Sequence, residues 1–562
     1  LYIKILTMYF YVSDFVSNAK IVDESNIVTP INTHRLWDCL NGYPNRDYVV
    51  SGFKHGFHIG IPSVNSVPVN NIENYKNSKK SLNRAVVIDK MNIELKAGRI
   101  LGPYTEPPLQ SATYSPLYVI PKSEPGKFRL IHDLSKPKGT SVNDNIPDSL
   151  KSVQYCSVMD VAKFLQEQKV KGDGQYYMAK IDLKDAYRVC PINKEHWQYL
   201  GMKYEDKLFI DTCLPMGLGT SCAIFSAISD SLCWLFHVKN PDCKFYNYID
   251  DFIILAPTKE LCESALSSVL STLEWLGFPI SEHKTVTPST HIEFLGLGID
   301  SKTLSFYVPD KKRAKISEEI TKFLTPKAQR VHTIQKLVGK LNFLCSTFVP
   351  GKALMAGLYQ SLAGILSSHS WARRRINNDV RQDLNIWLSF LAQCEGKPFR
   401  FIFPETSEIQ PMTTDAAGSI GYGGVFGNMW FRGLWQDPWW YQQNIALLEL
   451  VPIYIGIKLW HNKISHSTLN VFSDNESVVA MIKTYFSREK LINKLLKDLA
   501  LFCMTKNIVI NIQHVSGCDN ILADRLSRNI DCAHLLPEGH IQWELPNTLR
   551  PSYIKDMLCK TQ

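Results

Sequence analysis

Two adjacent carboxylates, Asp250 and Asp251, interrupt the apolar, strand-like run KFYNYIDDFIILAP at residues 244–257. Burial of unpaired like charges is costly, so this run predicts a cation beside them. The aromatic and β-branched flanks favour a β-hairpin whose turn lies near both aspartates. A divalent metal is the obvious partner. For these four letters (YIDD) alone, a solvated hairpin turn is the alternative.

A third carboxylate, Asp182, ends a short apolar run that begins at Met178. Hard Mg²⁺ prefers carboxylate and phosphate oxygens, and two such ions about 3.5–4 Å apart can activate a hydroxyl and stabilise a leaving oxygen. Asp182 with Asp250 could supply that geometry. Between them, the glycine-rich segment LPMGLGTSCAIF at residues 214–225 suits close backbone approach by a nucleotide and template, with a tight turn as the alternative.

Three cations, Lys122, Lys127 and Arg129, follow one hairpin-like stretch upstream of these acids. Lysine and arginine are suited to a triphosphate or its pyrophosphate leaving group. Cations on a hairpin are also commonly just solvated. Their position before the carboxylate segments favours the phosphate interpretation.

A second constellation occupies the last quarter of the chain, and its members share an acidic or imidazole side chain near the end of a predicted element. They are Asp415 on a strand that turns through glycines, Glu449 in a helix-like run to about Trp460, Asp474 at a strand end, His514, and Asp524 on a helix. Each has an ordinary alternative. Asp474 could cap the next helix, Glu449 could pair with a lysine, and His514 could lie on the surface.

The first set of motifs resembles the reverse transcriptase family in order and spacing, from the cationic stretch through LPMG and YIDD to His283-Lys284 and Phe294-Leu295-Gly296. The resemblance implies that Asp182 and Asp250 bind catalytic metals with Asp251 beside them. It further implies that Lys122 and Arg129 hold the incoming triphosphate.

The same resemblance implies a nucleotide site lined by Asp185, Ala186, Met216 and Gly217, with Tyr187 at the steric-gate position that excludes a ribose 2′-hydroxyl. An ordinary core tyrosine is the alternative. Many retroviral-type enzymes carry Gln where Met216 stands. Lys284 matches a lysine proposed in the family to protonate pyrophosphate, although a loop lysine is often simply solvated.

The second set resembles the ribonuclease H family in residue type, order and spacing. The resemblance implies that Asp415, Glu449, Asp474 and Asp524 are ligands of two Mg²⁺ ions that activate water against an RNA phosphodiester. His514 would then aid proton transfer or product release.

These resemblances imply a multidomain α/β and α+β chain, in which a right-hand polymerase (fingers, palm, thumb) precedes a ribonuclease H-like mixed β-sheet domain with helices. The predicted boundaries are an N-terminal extension at 1–87, fingers and palm at 88–305, helical thumb and connection at 306–405, ribonuclease H-like domain at 406–530 and tail at 531–562. Residues 371–387 are predicted to form an amphipathic helix. Lys311, Lys312, Arg313, Lys315 and the arginine run 373–375 either track a hybrid backbone or form a solvated face.

Composition gives weaker indications. The 562 residues carry a net charge of +9, which is compatible with a phosphate-tracking groove. Fourteen cysteines without CxxC pairs or zinc-knuckle spacing predict free thiols in a reducing compartment. No stretch is expected to span a bilayer, and the apolar opening 1–16 is interpreted as part of a longer open reading frame. We therefore expect an intracellular location, in the cytoplasm, the nucleus or both, without membrane association.

The sequence thus predicts an RNA-directed DNA polymerase with ribonuclease H activity from a retrotransposon. It would use two Mg²⁺ per site, with Mn²⁺ as a possible substitute, and act on an RNA template, a DNA primer, deoxynucleoside triphosphates and RNA–DNA hybrid. Segments 29–32, 52–60, 128–135 and 349–353 resemble DIRS-group elements, with Gypsy-type elements as the runner-up. A decayed or domesticated element that binds nucleic acid without turnover is the alternative. An RNA-dependent RNA polymerase is opposed by Tyr187 and the second acid set.

Overall fold

The computed structural model describes residues 27–62, 84–109, 111–122, 126–172, 174–364, 371–395, 397–401 and 409–559. The chain divides into two compact units. Unit 1 comprises Leu1–Val161 and Gly172–Ile292, and unit 2 comprises Ala162–Lys171 and Glu293–Gln562. The apolar opening 1–16 lies outside the described residues. The five domain boundaries drawn from the sequence stay predictions.

In the described residues, unit 1 is built on ten short strands and the helices packed against them. The strands are β1 Ile100–Tyr104, β2 Tyr114–Ser115, β3 Leu117–Pro121, β4 Phe128–His132, β5 Tyr177–Asp182, β6 Gly201–Tyr204, β7 Lys207–Asp211, β8 Lys244–Tyr248, β9 Asp251–Ala256 and β10 Val286–Ser289. The helices are α1 Thr33–Cys39, α2 Arg46–His55, α3 Arg84–Lys96, α4 Val158–Val170 (whose C-terminal part belongs to unit 2), α5 Ser221–Lys239 and α6 Lys259–Leu276.

The central sheet of unit 1 has the strand order β10-β5-β9-β8, and its printed strand pairs are antiparallel. Residues 252–256 of β9 are all fully buried, because α5 and α6 pack on this sheet. A strand whose two faces are both covered becomes continuously apolar, as the FIILA sequence is. The acids of the first motif set therefore lie at the end of a rigid, buried element.

Helix α5 is long and apolar enough, by length and composition, to cross a membrane, which the sequence analysis did not anticipate. Most of its apolar residues lie in the core of unit 1, however, where Phe225, Ile228, Leu232 and Phe236 are fully buried. Burial inside a protein core accounts for that composition equally well.

The part of unit 2 that the structure describes contains twelve strands. They are β11 His291–Phe294, β12 Leu297–Asp300, β13 Ser305–Tyr307, β14 Ala328–Arg330, β15 Arg373–Arg375, β16 Phe399–Arg400, β17 Met412–Ala417, β18 Gly421–Phe426, β19 Met429–Leu434, β20 Ser467–Ser473, β21 Ile508–His514 and β22 Ile541–Gln542; the first residues of β11 belong to unit 1. Its helices are α7 Asp310–Leu324, α8 Val331–Cys345, α9 Ala356–Leu362, α10 Asn378–Gln393, α11 Ile445–Leu459, α12 His461–Ile464, α13 Glu476–Thr484, α14 Lys490–Lys506, α15 Ile521–Ser527 and α16 Pro551–Cys559.

The amphipathic helix predicted for residues 371–387 is wrong in its first part. Arg373–Arg375 is a strand that pairs antiparallel with Ala328–Arg330. The helix begins only at Asn378, where the Asn377 side chain accepts a hydrogen bond from the Val380 amide. An asparagine N-cap stops the helical periodicity from extending backward through the arginines.

The C-terminal part of unit 2 is a six-stranded mixed sheet with the order β21-β20-β17-β18-β19-β22. Strands β17, β20 and β21 are parallel to one another, whereas β17, β18 and β19 form an antiparallel meander. Helices α11 and α15 pack against β17 and β18. The predicted fold class is confirmed in this respect: a mixed α/β chain whose C-terminal part is a mixed sheet with helices.

Two candidate metal centres

The first centre lies at one end of the central sheet of unit 1. Asp182, the last residue of β5, is the register partner of Asp251, the first residue of β9. Asp250 precedes it in the tight β8–β9 turn that the sequence predicts, and its pKa responds to the charge of Asp182. The structure therefore brings the three predicted acids of the first motif set together.

The turn that carries Asp250 is held by several contacts. Ile249 has a left-handed backbone with φ of 54°, which is uncommon for a β-branched residue. Its carbonyl accepts a 2.5 Å hydrogen bond from Ser229 Oγ on α5, and the Leu183 amide donates to the Asp250 carbonyl at 2.9 Å. The helix and the neighbouring strand thereby fix the strained turn and with it the direction of the Asp250 side chain.

Two lysines neutralise part of this cluster. Lys284 Nζ lies 2.8 and 2.9 Å from the two Asp182 oxygens, and Lys180 Nζ lies 3.0 Å from Asp251 Oδ1. Burial, with Asp182 nearby, raises the pKa of Asp250 to about 6. Burial also raises the pKa of Asp251, against the lowering effect of Lys180. The two lysine ammonium groups occupy positions beside carboxylate oxygens, which are ligands that a divalent cation prefers. The residues of this centre are therefore suited to bind such a cation.

Lys284 is in direct contact with a predicted metal ligand, not free in a solvated loop. Its side chain is 47% exposed, and although burial lowers its pKa, the ion pair with Asp182 raises it overall. A cation on Asp182 competes with this ammonium for the same two oxygens. The role of Lys284 as a proton donor stays a prediction.

Tyr187 is half-buried close to the acid cluster. Its hydroxyl lies 3.0 Å from Cys222 Sγ, and its ring contacts Phe225 edge-on with centroids 5.8 Å apart. Both partners lie in the first turns of α5. Burial, with Cys222 adjacent, raises the pKa of Tyr187, so its hydroxyl is protonated at neutral pH. The tyrosine is therefore held in one orientation beside the loop at 214–219.

Gly217 sits in that loop where only glycine fits. Its φ is 130°, and a Cβ there would lie 1.9 Å from the His132 carbonyl oxygen. The His132 amide in turn donates to the Met216 carbonyl at 3.0 Å, and Asn143 Nδ2 donates to the Gly217 carbonyl at 2.8 Å. The loop is thereby joined to the end of β4, with the Met216 side chain half-buried.

The three predicted phosphate-binding cations lie on the β3–β4 hairpin. Lys122 and Lys127 flank the turn, where the Lys122 amide donates to the Lys127 carbonyl at 2.8 Å, and Arg129 pairs in register with Ile120. All three are exposed. Since β4 is tied to the glycine loop, the hairpin is anchored at its base to the segment that contains Met216.

Beside Asp185 lies a buried charge network that the sequence analysis missed. Asp185 has a left-handed backbone, with φ of 52°, and lies 3.8 Å from Arg99. Ala186 is buried next to it, and Arg188 donates to Glu94 at 2.9 Å and to Asp211 at 2.8 Å. Such paired buried charges fix the turn after β5. The acidic partners lie far away in sequence, so no local motif announces them.

The second centre lies on the mixed sheet of unit 2. Asp415 on β17, Glu449 on α11 and Asp474 just after β20 each offer a carboxylate oxygen within 4.8 Å of the others. Asp415 and Glu449 are buried, and Asp474 is half-buried. The parallel pairing of β17 with β20 places Asp415 and Asp474 at the same edge of the sheet. Three of the four predicted ligands therefore form one cluster.

Asp524, the fourth predicted ligand, stands beside this cluster and is paired with Arg528 at 2.7 Å. Its charge is among the causes that raise the pKa values of both Asp415 and Glu449. Helix α15 packs so closely on β18 that a Cβ on Gly423 would lie 2.5 Å from Leu526 Cβ. This close approach keeps Asp524 near the sheet.

The electrostatics of the second cluster favour a cation strongly. Burial, with Asp415 and Asp474 nearby, raises the pKa of Glu449 to about 9, and burial raises that of Asp415 to about 6. Glu449 Oε2 is buried without a hydrogen-bond partner in the described part of the chain, while Ser527 donates to Asp415. An orphaned oxygen among like charges fits a divalent ion, which would remove the cost of ionising these acids.

The ordinary explanations do not hold for Asp474 and Glu449, whereas His514 does lie on the surface. Asn475, not Asp474, caps α13 by accepting from the Val478 amide at 3.1 Å. Glu449 has no lysine partner among the described residues. His514 is exposed at the end of β21, where its Nε2 lies 3.2 Å from the Asp474 carbonyl oxygen. The histidine is therefore next to the cluster without touching its carboxylates.

A family model described as "Reverse transcriptase (RNA-dependent DNA polymerase)" matches residues 120–299. This segment holds all three acids of the first centre and the glycine loop. The chain contains a reverse transcriptase domain. Its sequence relatives include retroviral Gag-Pol polyproteins.

Sequence relatives of this reverse transcriptase domain are viral polyproteins. The Gag-Pol polyprotein of Avian reticuloendotheliosis virus is 23% identical over 313 residues, 53% of this chain and 25% of the relative. That of Avian leukosis virus subgroup A is 26% identical over 278 residues, 48% of this chain and 15% of the relative. Protein P of Woodchuck hepatitis B virus is 28% identical over 151 residues, 27% of this chain and 17% of the relative. The matched part is thus a quarter or less of each relative.

Among solved structures, the foamy viral protease-reverse transcriptase in complex with double-stranded DNA has a TM-score of 0.47 and 17% identity, over 82% of this chain and 73% of that one. The same viral protein in complex with RNA/DNA hybrid has a TM-score of 0.46 and 16% identity, over 81% of this chain and 56% of that one.

Four residues of the two centres were missed from the sequence. Lys180 lies two positions before Asp182, and period-two alternation would have placed both side chains on one face of the strand. Cys222 and Ser527 are small residues without a motif, and they contact Tyr187 and Asp415 only through folding. Arg528, four residues after Asp524 on the same helix, follows a spacing that predicts an ion pair.

Proposed function

We propose that the chain is an RNA-directed DNA polymerase that also cleaves RNA in RNA–DNA hybrids, using a separate two-metal site for each reaction. The observation that carries the proposal is the presence of two carboxylate clusters, one in each unit, each assembled from residues distant in sequence. The family model covers the first cluster and supports the polymerase half. The nuclease half is supported by the geometry of the second cluster.

In the polymerase site, Asp182 and Asp250 would hold two Mg²⁺ ions with Asp251 beside them, and the ions would lower the pKa of the primer 3′-hydroxyl and neutralise the leaving pyrophosphate. Lys122, Lys127 and Arg129 would contact the triphosphate, and Lys284 would release Asp182 to the metal and donate a proton to pyrophosphate. Phosphoryl transfer depends mainly on positioning and charge stabilisation, which these rigidly held groups provide.

Selection of deoxynucleotides would depend on Tyr187, whose ring lies beside the site where Asp185, Ala186, Met216 and Gly217 would line the nucleotide. Its hydroxyl is held by Cys222 and its ring by Phe225, so a ribose 2′-hydroxyl would meet a fixed obstacle. Met216 cannot hydrogen bond the sugar as an amide would. Packing alone would then set the discrimination.

In the nuclease site, Asp415, Glu449, Asp474 and Asp524 would hold two Mg²⁺ ions, which would supply an activated water. Arg528 would leave its ion pair with Asp524 and contact a phosphate of the substrate instead. His514, exposed beside Asp474, would move a proton or aid product release. Mn²⁺ would substitute at both sites because its ligand preferences are similar.

The proposed partners are an RNA template, a DNA primer, deoxynucleoside triphosphates and the RNA–DNA hybrid. We assign the chain to a retrotransposon of the DIRS group, with a Gypsy-type element as the runner-up, because segments 29–32, 52–60, 128–135 and 349–353 resemble that group. An intracellular site of action, in the cytoplasm, the nucleus or both, belongs to this proposal. All fourteen cysteines are free thiols, which is consistent with it.

The test is a primer-extension and hybrid-cleavage assay on the purified chain with Mg²⁺, a primed RNA template and either deoxy- or ribonucleotides. We expect DNA product, loss of synthesis alone in Asp250→Asn, and loss of cleavage alone in Asp474→Asn. Exposed-acid variants Asp206→Asn and Glu538→Gln, one per unit, are the matched controls and should retain both activities.

Other outcomes of this assay contradict the proposal in distinguishable ways. RNA product from ribonucleotides would indicate an RNA-dependent RNA polymerase. Binding of the template without extension or cleavage would indicate a decayed or domesticated element. Equal loss of both activities in either variant would contradict two separable sites.

A further inference from the structure

The arginine run in unit 2 forms one strand of a two-stranded ribbon, Ala328–Arg330 paired with Arg373–Arg375, which we name the arginine ribbon. Arg330 lies directly opposite Arg373, Gln329 opposite Arg374, and Ala328 opposite Arg375. The three strand arginines and Arg330 are exposed. Since side chains alternate along a strand, Arg330, Arg373 and Arg375 share one face.

This face concentrates positive charge on three arginines. Like charges directly opposite each other across two strands are destabilising. Within the described residues, Arg330, Arg373, Arg374 and Arg375 have no carboxylate at ion-pair distance. The ribbon therefore carries a cost that a polyanion would remove.

The ribbon cannot relieve this repulsion by fraying, because both of its ends are anchored. The Val331 amide donates to the Ala372 carbonyl at 2.8 Å, and the Ile376 amide donates to the Lys327 carbonyl at 3.0 Å. Val331 and Ile376 are buried. On the other face, Gln329 Nε2 donates to the Phe323 carbonyl at 2.6 Å. The arginines thus project from a fixed backbone.

An exposed tryptophan stands at the end of the ribbon. Trp371, two residues before Arg373, is 71% exposed, far more than any other tryptophan among the exposed large hydrophobic residues. An aromatic ring beside a row of cations is the combination that binds single-stranded nucleic acid, in which bases stack on the ring and phosphates contact the cations.

We propose that Trp371 and the arginine ribbon form a binding site for single-stranded nucleic acid. Trp371 stacks on an unpaired base, and Arg330, Arg373 and Arg375 contact the backbone phosphates. A single strand is favoured over a duplex because a paired base already has both faces stacked and offers none to the tryptophan. The site shares no residue with either acid cluster, so single-strand binding can be tested independently of the two proposed activities.

The surroundings of the ribbon leave space for such a ligand. An open cavity of about 630 Å³ adjoins it, lined by Lys327, Arg375, Asn377, Asn378, Asp379 and Arg381 among others. Arg381 donates to the Leu324 and Pro326 carbonyls at 2.6 and 2.9 Å. That arginine supports the fold of the loop, so it is left unchanged in the test.

The experiment measures fluorescence anisotropy of labelled oligonucleotides, an unstructured single strand and a blunt RNA–DNA hybrid, with the full chain in EDTA to prevent turnover. In Trp371→Ala, we expect single-strand affinity to fall about fivefold or more, while hybrid affinity is unchanged. Trp371→Phe, which keeps a stacking ring, should restore most of it. In the Arg330, Arg373 and Arg375→Gln triple variant, the salt-dependence slope for single strands should fall by about 2.

Two control variants remove the same types of side chain at other positions: one tryptophan and three cations. Trp275→Ala removes a tryptophan that is 47% exposed and covered by Arg35, and Lys483→Gln, Arg488→Gln and Lys490→Gln together remove three exposed cations of unit 2. Neither should change single-strand affinity. The proposal is overturned if Trp371→Ala leaves single-strand binding intact, if it weakens hybrid binding equally, or if the cation control has the same effect as the ribbon variant.

Discussion

The two acid clusters differ in how their charge is compensated. In unit 1, Asp182 and Asp251 each have a lysine within 3.0 Å, and only Asp250 lacks one. In unit 2, the cluster of Asp415, Glu449 and Asp474 has no lysine partner among the described residues, and Glu449 keeps a buried oxygen without a hydrogen bond. Asp250, with a pKa of about 6, is thus largely ionised near neutral pH without metal, whereas Glu449, with a pKa of about 9, retains its proton until a cation displaces it.

This difference suggests different uses of the protein's own cations. A lysine paired with a carboxylate, as Lys284 is with Asp182, would hold that carboxylate in place before a metal binds and would have to leave it when the metal does. A cluster without lysines binds metal at the expense of protons, so its occupancy depends more steeply on pH.

The largest effect is expected from neutralising one acid in each cluster. Glu449→Gln should reduce hybrid cleavage about a hundredfold or more and leave extension unchanged, because the metal loses a charged ligand. Asp182→Asn should have the reverse effect. Single-turnover rates on one labelled substrate that reports both reactions would check this. A matched loss of both rates in either variant would show that the clusters are not independent.

A tens-fold effect is expected on sugar selection, which only the first cluster should show. Tyr187→Ala removes the ring and should reduce the preference for deoxy- over ribonucleotides by tens-fold, and Cys222→Ala, which removes only the 3.0 Å contact to the hydroxyl, should reduce it a few-fold. Ratios of kcat/KM for the two nucleotide types measure this, with hybrid cleavage as the internal control. An unchanged ratio in Tyr187→Ala would identify an ordinary core tyrosine.

A few-fold effect is expected from removing the competing ammonium. In Lys284→Gln, nothing contends with metal for the Asp182 oxygens, so the Mg²⁺ concentration at half-maximal extension should fall, while that for cleavage stays constant. Magnesium titrations of both activities test this. If half-saturation is unchanged and extension falls a hundredfold, the lysine acts in the chemical step and not through the metal site.

The smallest effect is expected in the pH dependence of stability without metal. Burial raises the folded-state pKa of Glu449 to about 9 and of Asp250 to about 6, so the folded chain binds more protons than the unfolded chain between the usual carboxyl pKa and these values. Stability should therefore fall as pH rises through these windows.

Unfolding transitions in EDTA at a series of pH values would separate the clusters. In Glu449→Gln, the free energy of unfolding should decrease less steeply between pH 5 and 9. In Asp250→Asn, it should decrease less steeply only below about pH 6. Added Mg²⁺ should restore stability most at high pH, where the acids are ionised. A Glu449→Gln profile that parallels the unmodified chain would contradict the contrast between the two clusters.

The local elements around both clusters were largely predictable from sequence. The β8–β9 hairpin with Asp250 in its turn, the strand ending at Asp182 and the strand carrying Asp415 were all expected and are present. The reason is that short apolar runs interrupted by a carboxylate or a glycine have few ways to fold. Residues 373–377 were predicted to be helical and are not. The helical spacing of the apolar residues after them does not show at which residue the helix begins.

The residue types at the ends of the elements follow from the local sequence, because hydrophobic period and turn residues act over a few positions. Which acids have a lysine partner, the contact of Cys222 with the Tyr187 hydroxyl, and the pairing of the arginine run with Arg330 follow from the folded chain. Each of these depends on a partner tens to hundreds of residues away, and such partners are selected by packing and register, which no local pattern encodes.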